Sequence, residues 1–313
     1  MKTQVVQTAN ASSAGVTHES SPRVRGYWRE AWDRLRSNPI ALGAASLIVF
    51  MALVALCAPL VSQYITHYAY DQQDIPNAFG PPSSGHWLGT DELGRDTFTR
   101  LVFGARVSFE VAFLTVALYV TIGTTFGMVA AYYGGLIDLV LMRFVDVLLA
   151  IPAIYLLILF ATLQPFHLSP HSPGTLAIII AIVSWGGLAR LVRSEVLTVK
   201  QRDFVMAARS IGAGDFRIMF RHLLPNVMPS MIVAASLGVG TVILIEAALD
   251  FISLGIQPPE PSWGNMLFSA QSYFFHSALL AVFPGVAIAI TVVSTNLLGN
   301  ALRDALDPRL ARR

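Results

Sequence analysis

The sequence predicts an all-α, polytopic membrane protein with six transmembrane helices and both chain ends on the cytoplasmic side. Three observations carry that prediction. Of the 313 residues, 54% are hydrophobic and 13% charged, half the roughly 25% charged share of a soluble globular chain. The apolar residues gather into runs of about the 20 residues that cross a bilayer. The 21 Lys and Arg are also partitioned: six precede the first run, seven fall around and between the fourth and fifth, and four follow the sixth. Residues 250–276 carry none, and residues 62–106 carry three against five acids. An even number of crossings with basic ends on one side gives N-in and C-in.

Residues 1–22, rich in Ser, Thr, Ala and Gln, are expected to be a disordered cytoplasmic tail. In residues 23–39, "GYWREAWDRLRSNP" places Trp28, Trp32 and Leu35 on one helical face and Arg29, Asp33 and Arg36 on the other. That pattern fits an interfacial amphipathic helix lying in the bilayer headgroups. The first span, 40–61, is uncharged. It is too long and starts too late to be a signal-peptide core, and the bulky Leu56 before Cys57 is a poor lipoprotein signal. A single cysteine excludes a disulfide framework or a thiolate cluster within the chain. An extracytoplasmic loop follows over 62–106, and a five-helix core over 107–301.

Within that core the second span is 111–133, with the close-packing pattern Gly123-x-x-x-Gly127. The third, 136–163, holds Asp138, Arg143 and Asp146 in its first half. Residues 164–174, with three prolines, break the helix, and the fourth, fifth and sixth spans are 175–197, 228–249 and 277–301. Residues 302–313 form a cytoplasmic tail.

Enzyme chemistry has no footing in this chain. Lysine occurs only at Lys2 and Lys200, neither after a glycine loop, so no Walker A phosphate cradle exists. The seven histidines lack ligand spacing, no metal site is expected, and no Gly-x-Ser-x-Gly elbow occurs. A net charge of +2 with no basic stripe excludes a nucleic-acid partner.

Ionisable residues inside spans are costly and face a bundle interior or a wet cavity. Arg143 and Asp146, three apart, share a helical face and can pair. With Asp138 they form either a polar lining or proton relay, or an Arg–Asp structural lock. Glu246 and Asp250, near the outer end of span five, either line a pore mouth or reach headgroup water.

The hydrophilic segment 200–226 is the other candidate site. Phe204, Ala207, Ala208 and Ile211 fall at helical spacing and form an apolar stripe with small residues. Gly212 and Gly214 stop that helix; Asp215 caps a second through Leu224, and Pro225 ends it. The stripe either docks in another protein's groove or rests on lipid.

"AARSIGAGDFRIMFRHLLPN" (207–226) resembles the cytoplasmic EAA loop of permeases in binding-protein-dependent ATP-binding-cassette importers. Ala207, Ala208, Gly212, Leu224 and Pro225 occupy its spaced positions, with Met206 where that pattern has glutamate and His222 where it often has isoleucine. "HWLGTDELGRDTFTRLVFGARVSF" (86–109), "GIQPPEPSWGNML" (255–267) and "LRDALDPRL" (302–310) are similar to blocks of the peptide and nickel permeases, of the dipeptide or oligopeptide "C" type. Asn300 stands for a usual aspartate and Asp250 for a usual serine.

The resemblance implies a type I importer permease fold in a bacterial inner membrane, moving di- or oligopeptides by ATP-driven alternating access. It implies a second homologous permease, two ATPase subunits that hold ATP and Mg, and an extracytoplasmic solute-binding protein. No cofactor is expected in this chain. On this reading Phe204, Ala207, Ala208, Gly212, Gly214, Leu224 and Pro225 couple to the ATPases. "GTDELGRD" and the stiff "QPPEPSW" offer Asp91, Arg95, Asp96 and Trp263 either as an outer docking surface or as a local folded cap. A nickel or other small-solute importer of the same family is one alternative reading. The other is a self-sufficient channel or secondary transporter using Asp138, Asp146 and Glu246 as an ion path.

Overall fold

The computed structural model describes residues 27–163 and 172–307, and every regular element among them is helical. The expectations for residues 1–26, 164–171 and 308–313 lie outside the described residues. Helix α1 (Tyr27–Ser37) leads into Asn38, whose side chain accepts from the Ile40 and Ala41 amides and so caps α2 (Pro39–Leu56). Cys57 interrupts the run before α3 (Ala58–Val61) and a π turn at Ser62–Thr66.

Helix α4 (Thr97–Tyr133) begins well before the expected span at 111 because Asp96 caps it, accepting the Thr99 amide at 2.7 Å. At 37 residues it is about 55 Å long, so it overshoots a hydrocarbon layer of about 30 Å.

Residues 136–163 are not one continuous helix. They divide into α5 (Gly135–Ala150) and α6 (Ala153–Leu163), bent by 90°. Pro152 supplies the reason: it has no amide hydrogen, and it holds Ile151 extended at φ −91° and ψ 128°. Pro173 and Gly174, expected in the break, are instead the first residues of α7 (Pro173–Val199), where a missing amide hydrogen costs nothing.

After the short helices α8 (Asp203–Ser210) and α9 (Asp215–Arg217), a π segment at Ile218–Leu223 runs straight into α10 (Leu224–Phe251). Pro225 therefore does not end a helix. It sits in the first turn of α10, beside a π segment whose shifted bonding register already frees amide positions. Helices α11 (Trp263–Ser272) and α12 (Leu279–Leu306) complete the described chain. Among the described residues five helices are long and apolar enough to cross a membrane, and up to six if the bent α5–α6 pair counts as one.

Small residues let the helices approach. A Cβ on Gly123 would stand 2.9 Å from the Trp185 carbonyl oxygen, and one on Gly127 would collide with that of Ala189. So α4 lies directly on α7. Helices α10 and α12 pack antiparallel, with Gly240 against the Thr295 hydroxyl and Gly299 against Leu237. Tyr119 on α4 donates its hydroxyl to Ala234 on α10 at 3.1 Å.

These contacts order the two ends of the molecule. The start of α12 lies near the start of α4, since Leu280 lines a small cavity with Asp91, Arg95 and Arg100. Its far end meets α1, where Tyr27 donates to the Leu306 carbonyl at 2.6 Å. Both described termini thus lie at the same end as residues 203–223, opposite the cap built around Asp96.

Candidate functional site

The hairpin at residues 203–223 is fixed by its turn. Gly212 adopts φ +80°; its amide bonds the Arg209 carbonyl, and the Ala213 amide bonds that of Ala208, both at 3.0 Å. This pair of bonds closes a helix on a left-handed residue. Gly214, at φ −67°, needs no such freedom and serves as the residue before α9. Phe204, Ala207 and Ile211 face outward, with Ile211 85% exposed, and Phe216 and Phe220 join them, ring centroids 4.2 Å apart.

Ala208 does not belong to that outer stripe. It is buried with Val205, because residues three apart share a face while adjacent ones diverge by about 100°. Leu224 is half-buried and Pro225 exposed.

Polar bonds tie the hairpin to the helices above it. Tyr132, in the last turn of α4, donates to Asp215 Oδ1 at 2.6 Å. Lys200 Nζ, just past α7, donates to the carbonyls of Ala131 and Tyr132 at 3.2 and 2.6 Å, satisfying groups that the end of α4 leaves free. The Arg209 guanidinium stands 5.7 Å from the Tyr132 ring centroid. Ser230 on α10 donates to Glu195 on α7 at 3.1 Å.

The charges of α5 pair across to α7. Arg193 forms a two-point ion pair with Asp138 at 2.5 and 2.6 Å, and Arg190 pairs with Asp146 Oδ1. Arg143 reaches Asp146 Oδ2 at 3.7 Å while its side chain is 77% exposed. The helical spacing of Arg143 and Asp146 was enough to find their contact, whereas the stronger partners on α7 come only from packing. Two acids on one helix and two arginines three apart on another were the available signal.

Glu246 and Asp250 correct their expectation. They neither line a mouth nor reach headgroups; both are enclosed, Glu246 at 0% exposure and Asp250 at 2%. Ser108 donates to Glu246 at 3.2 Å, while Asp250 accepts the Ile256 amide at 2.5 Å and the Ser262 hydroxyl. The reason is that the loop after α10 folds back over them and needs acceptors for its own donors.

Of the two readings of the four outer candidates, burial favours the local folded cap over the docking surface. Asp91, Arg95, Asp96 and Trp263 are all buried, at 6% or less, so none presents a docking surface. Asp91 takes the Leu93 and Arg95 amides, each at 2.9 Å, and Arg95 Nε at 2.7 Å. Asp96 pairs with His86 at 2.9 Å besides capping α4. Arg100 spans to the Tyr70 carbonyl at 2.9 Å and the Pro259 carbonyl at 3.4 Å. Trp263 Nε1 donates to the Leu101 carbonyl at 3.1 Å. Charges removed from water must be paired, and here they are paired with one another and with backbone. In the loop that this cap holds, burial and the neighbouring Glu110 push the Glu260 carboxyl up, with Arg106 opposing.

Comparison with known proteins bears on the whole chain. Residues 123–312 match the family described as "Binding-protein-dependent transport system inner membrane component". Residues 26–82 match the N-terminal TM domain of oligopeptide transport permease C. The chain is 41% identical over 283 residues to the dipeptide transport system permease protein DppC of Alkalihalophilus pseudofirmus, covering 90% of each. It is 39% identical over 287 residues to the glutathione transport system permease protein GsiD of Pectobacterium atrosepticum, covering 92% of this chain and 93% of that one. It is 36% identical over 302 residues to the oligopeptide transport system permease protein OppC of Bacillus subtilis, covering 96% of each.

Proposed function

The chain belongs to the family of binding-protein-dependent transport system inner membrane components, and from that premise we propose that it forms half of the pore in an ATP-driven peptide importer. It is a multi-pass permease subunit of the bacterial inner membrane, a transport component rather than an enzyme. Dipeptides or oligopeptides are the proposed cargo, since relatives named for dipeptide, oligopeptide and glutathione transport each align over nine-tenths of this chain or more.

The observation that carries the coupling role is the outward apolar face of the hairpin. Phe204, Ala207, Ile211, Phe216 and Phe220 expose a surface that the described residues leave uncovered. An ATPase groove would cover it, and closure of two such ATPases would move the hairpin and reopen the pore toward the outside. ATP and Mg would be held by those ATPases, a second homologous permease would complete the pore, and a solute-binding protein would deliver cargo. Gly212 sets the turn, Ala208 packs the hairpin inward, and Gly214, Leu224 and Pro225 join it to α10.

Joint placement of the hairpin and both described termini at one end, together with their arginines, supports an N-in, C-in orientation. At that end α1 exposes Trp28 and Trp32 beside the apolar flank of α2, as an interfacial helix would. Asp146, with one oxygen toward Arg190 and the other toward Arg143, is read as a lock rather than a relay.

Reconstitution tests the reading. Proteoliposomes holding this chain, its partner permease and the ATPases should take up a radiolabelled dipeptide only when ATP and the binding protein are both supplied. Uptake by the purified chain alone would replace the reading with a self-sufficient channel. ATP-driven uptake of nickel in place of peptide would keep the permease role and change the cargo.

A further inference from the structure

Tyr132 stands where three elements meet: the last turn of α4, the end of α7 and the second arm of the hairpin. It is 5% exposed, although the hairpin below it is largely open to water. Its hydroxyl donates to Asp215 Oδ1 at 2.6 Å. Asp215 is the first residue of α9, immediately after the turn set by Gly212. Arg209, in the last turn of α8, and Lys200 each hold a charge 5.7 Å from the centre of the Tyr132 ring, within the range of cation–π attraction. Lys200 also bonds the Ala131 and Tyr132 carbonyls. One aromatic side chain therefore receives a contact from each arm of the hairpin and from the segment that leads into it.

The first arm follows directly from α7 and the second runs without a break into α10, so both have covalent connections to the bundle. Helix α4 has none to the hairpin. It is nonetheless the helix that packs on α7 through Gly123 and Gly127 and on α10 through Tyr119, and its far end carries the Asp96 cap. The Tyr132–Asp215 hydrogen bond, at 2.6 Å, is a direct side-chain path from the second arm of the hairpin to the end of α4. A bond from a neutral hydroxyl to a carboxylate is short and directional, so it transmits a pull that dispersion contacts would let slip.

We infer that Tyr132 is the positioning residue that gears the hairpin to α4, with Asp215 as its acceptor, so that hairpin movement is passed to the pore helix and not taken up locally. This rests on the reading of the hairpin as the ATPase-coupling element. In this assignment Tyr132 acts through α4.

The test uses the complete transporter in proteoliposomes and reads peptide taken up per ATP hydrolysed, a ratio that a loss of folded protein does not change. Tyr132→Phe keeps the ring and removes the hydroxyl, and Asp215→Ala removes the acceptor. Each should lower the ratio on the order of tenfold, the size of a hydrogen bond to a charged group, while hydrolysis continues and the ATPases still co-purify. Asp215→Asn keeps an acceptor oxygen and should recover the ratio to within about twofold of the unmodified complex.

An unchanged ratio in Tyr132→Phe, or equal ratios in Asp215→Ala and Asp215→Asn, overturns the assignment. If Tyr132→Phe prevents assembly, the two Asp215 variants alone decide in the same way. Failure of the unmodified chain to co-purify with any ATPase would instead remove the coupling reading itself.

Discussion

Asp138 on α5 and Arg193 on α7 face each other in a two-point ion pair, Nε to Oδ1 at 2.5 Å and Nη2 to Oδ2 at 2.6 Å. It joins the bent α5–α6 unit to the helix that also carries the α4 contact. With side-chain exposures of 19% and 33%, solvent screens it only in part.

Asp138→Asn should therefore lower the thermal stability of the detergent-solubilised protein, by about 1 kcal/mol after allowance for screening. Exchanging the charges, Asp138→Arg with Arg193→Asp, should recover part of that loss. A double-mutant cycle on melting temperature measures the coupling, and zero coupling would show that the pair contributes nothing to stability.

Gly212 is at φ +80° with nothing within 4 Å of an added Cβ, so a substitution there is limited by backbone and not by space. Gly212→Val should cost about 1–2 kcal/mol in local stability. It should leave pairing of the two permeases intact while lowering substrate-stimulated ATP hydrolysis. Gly212→Asn, which tolerates the left-handed region, should retain most of that stimulation. Equal losses in both variants would point to a contact made by the glycine surface instead.

Gly127 has no room for any side chain, because its Cβ would overlap the Ala189 carbonyl oxygen. Gly127→Ala should destabilise the fold by about 1–3 kcal/mol through forced separation of α4 and α7. Gly43→Ala, where an added Cβ meets nothing within 4 Å, is the control and should be neutral or slightly stabilising. Fluorescence-detected size-exclusion melting of the two variants separates them.

Asp250→Ala leaves the Ile256 amide and the Ser262 hydroxyl buried without their acceptor. The loss should be about 1–3 kcal/mol, felt locally. Hydrogen exchange at the Ile256 amide should accelerate and the loop at 252–262 should become sensitive to protease. Unchanged exchange at Ile256 would mean that another group had taken over the acceptor role.

Five of the apolar runs overlap the five helices that are long and apolar enough to cross a membrane, because a bilayer leaves a spanning segment few alternatives to a helix. Their ends were less legible. Helix α4 starts at Thr97 rather than 111 because of one side-chain cap at Asp96, and 136–163 folds into two helices because Pro152 dominates a hydrophobic average that ignores it. Gly123 and Gly127 could be read as a close-packing pair from spacing alone. That Ala208 turns inward while Ile211 does not followed from the phase of a short helix against its neighbours.

What the sequence determined by itself is the kind of protein: helical and multiply membrane-crossing, with a basic hairpin between two of its apolar helices. Those properties follow from composition, run length and local turn chemistry, which need no partner to act. The fate of each buried charge was decided only by tertiary structure. Asp91 and Asp96 read either as an outer docking surface or as a folded cap, and Glu246 and Asp250 as lining a pore mouth or reaching headgroup water, because a carboxylate is stable in water and also in a pocket that supplies its donors. Those donors, Arg95, His86, Ser108 and Ser262 among them, are set in place by the packing of α4, α10 and the loops between helices.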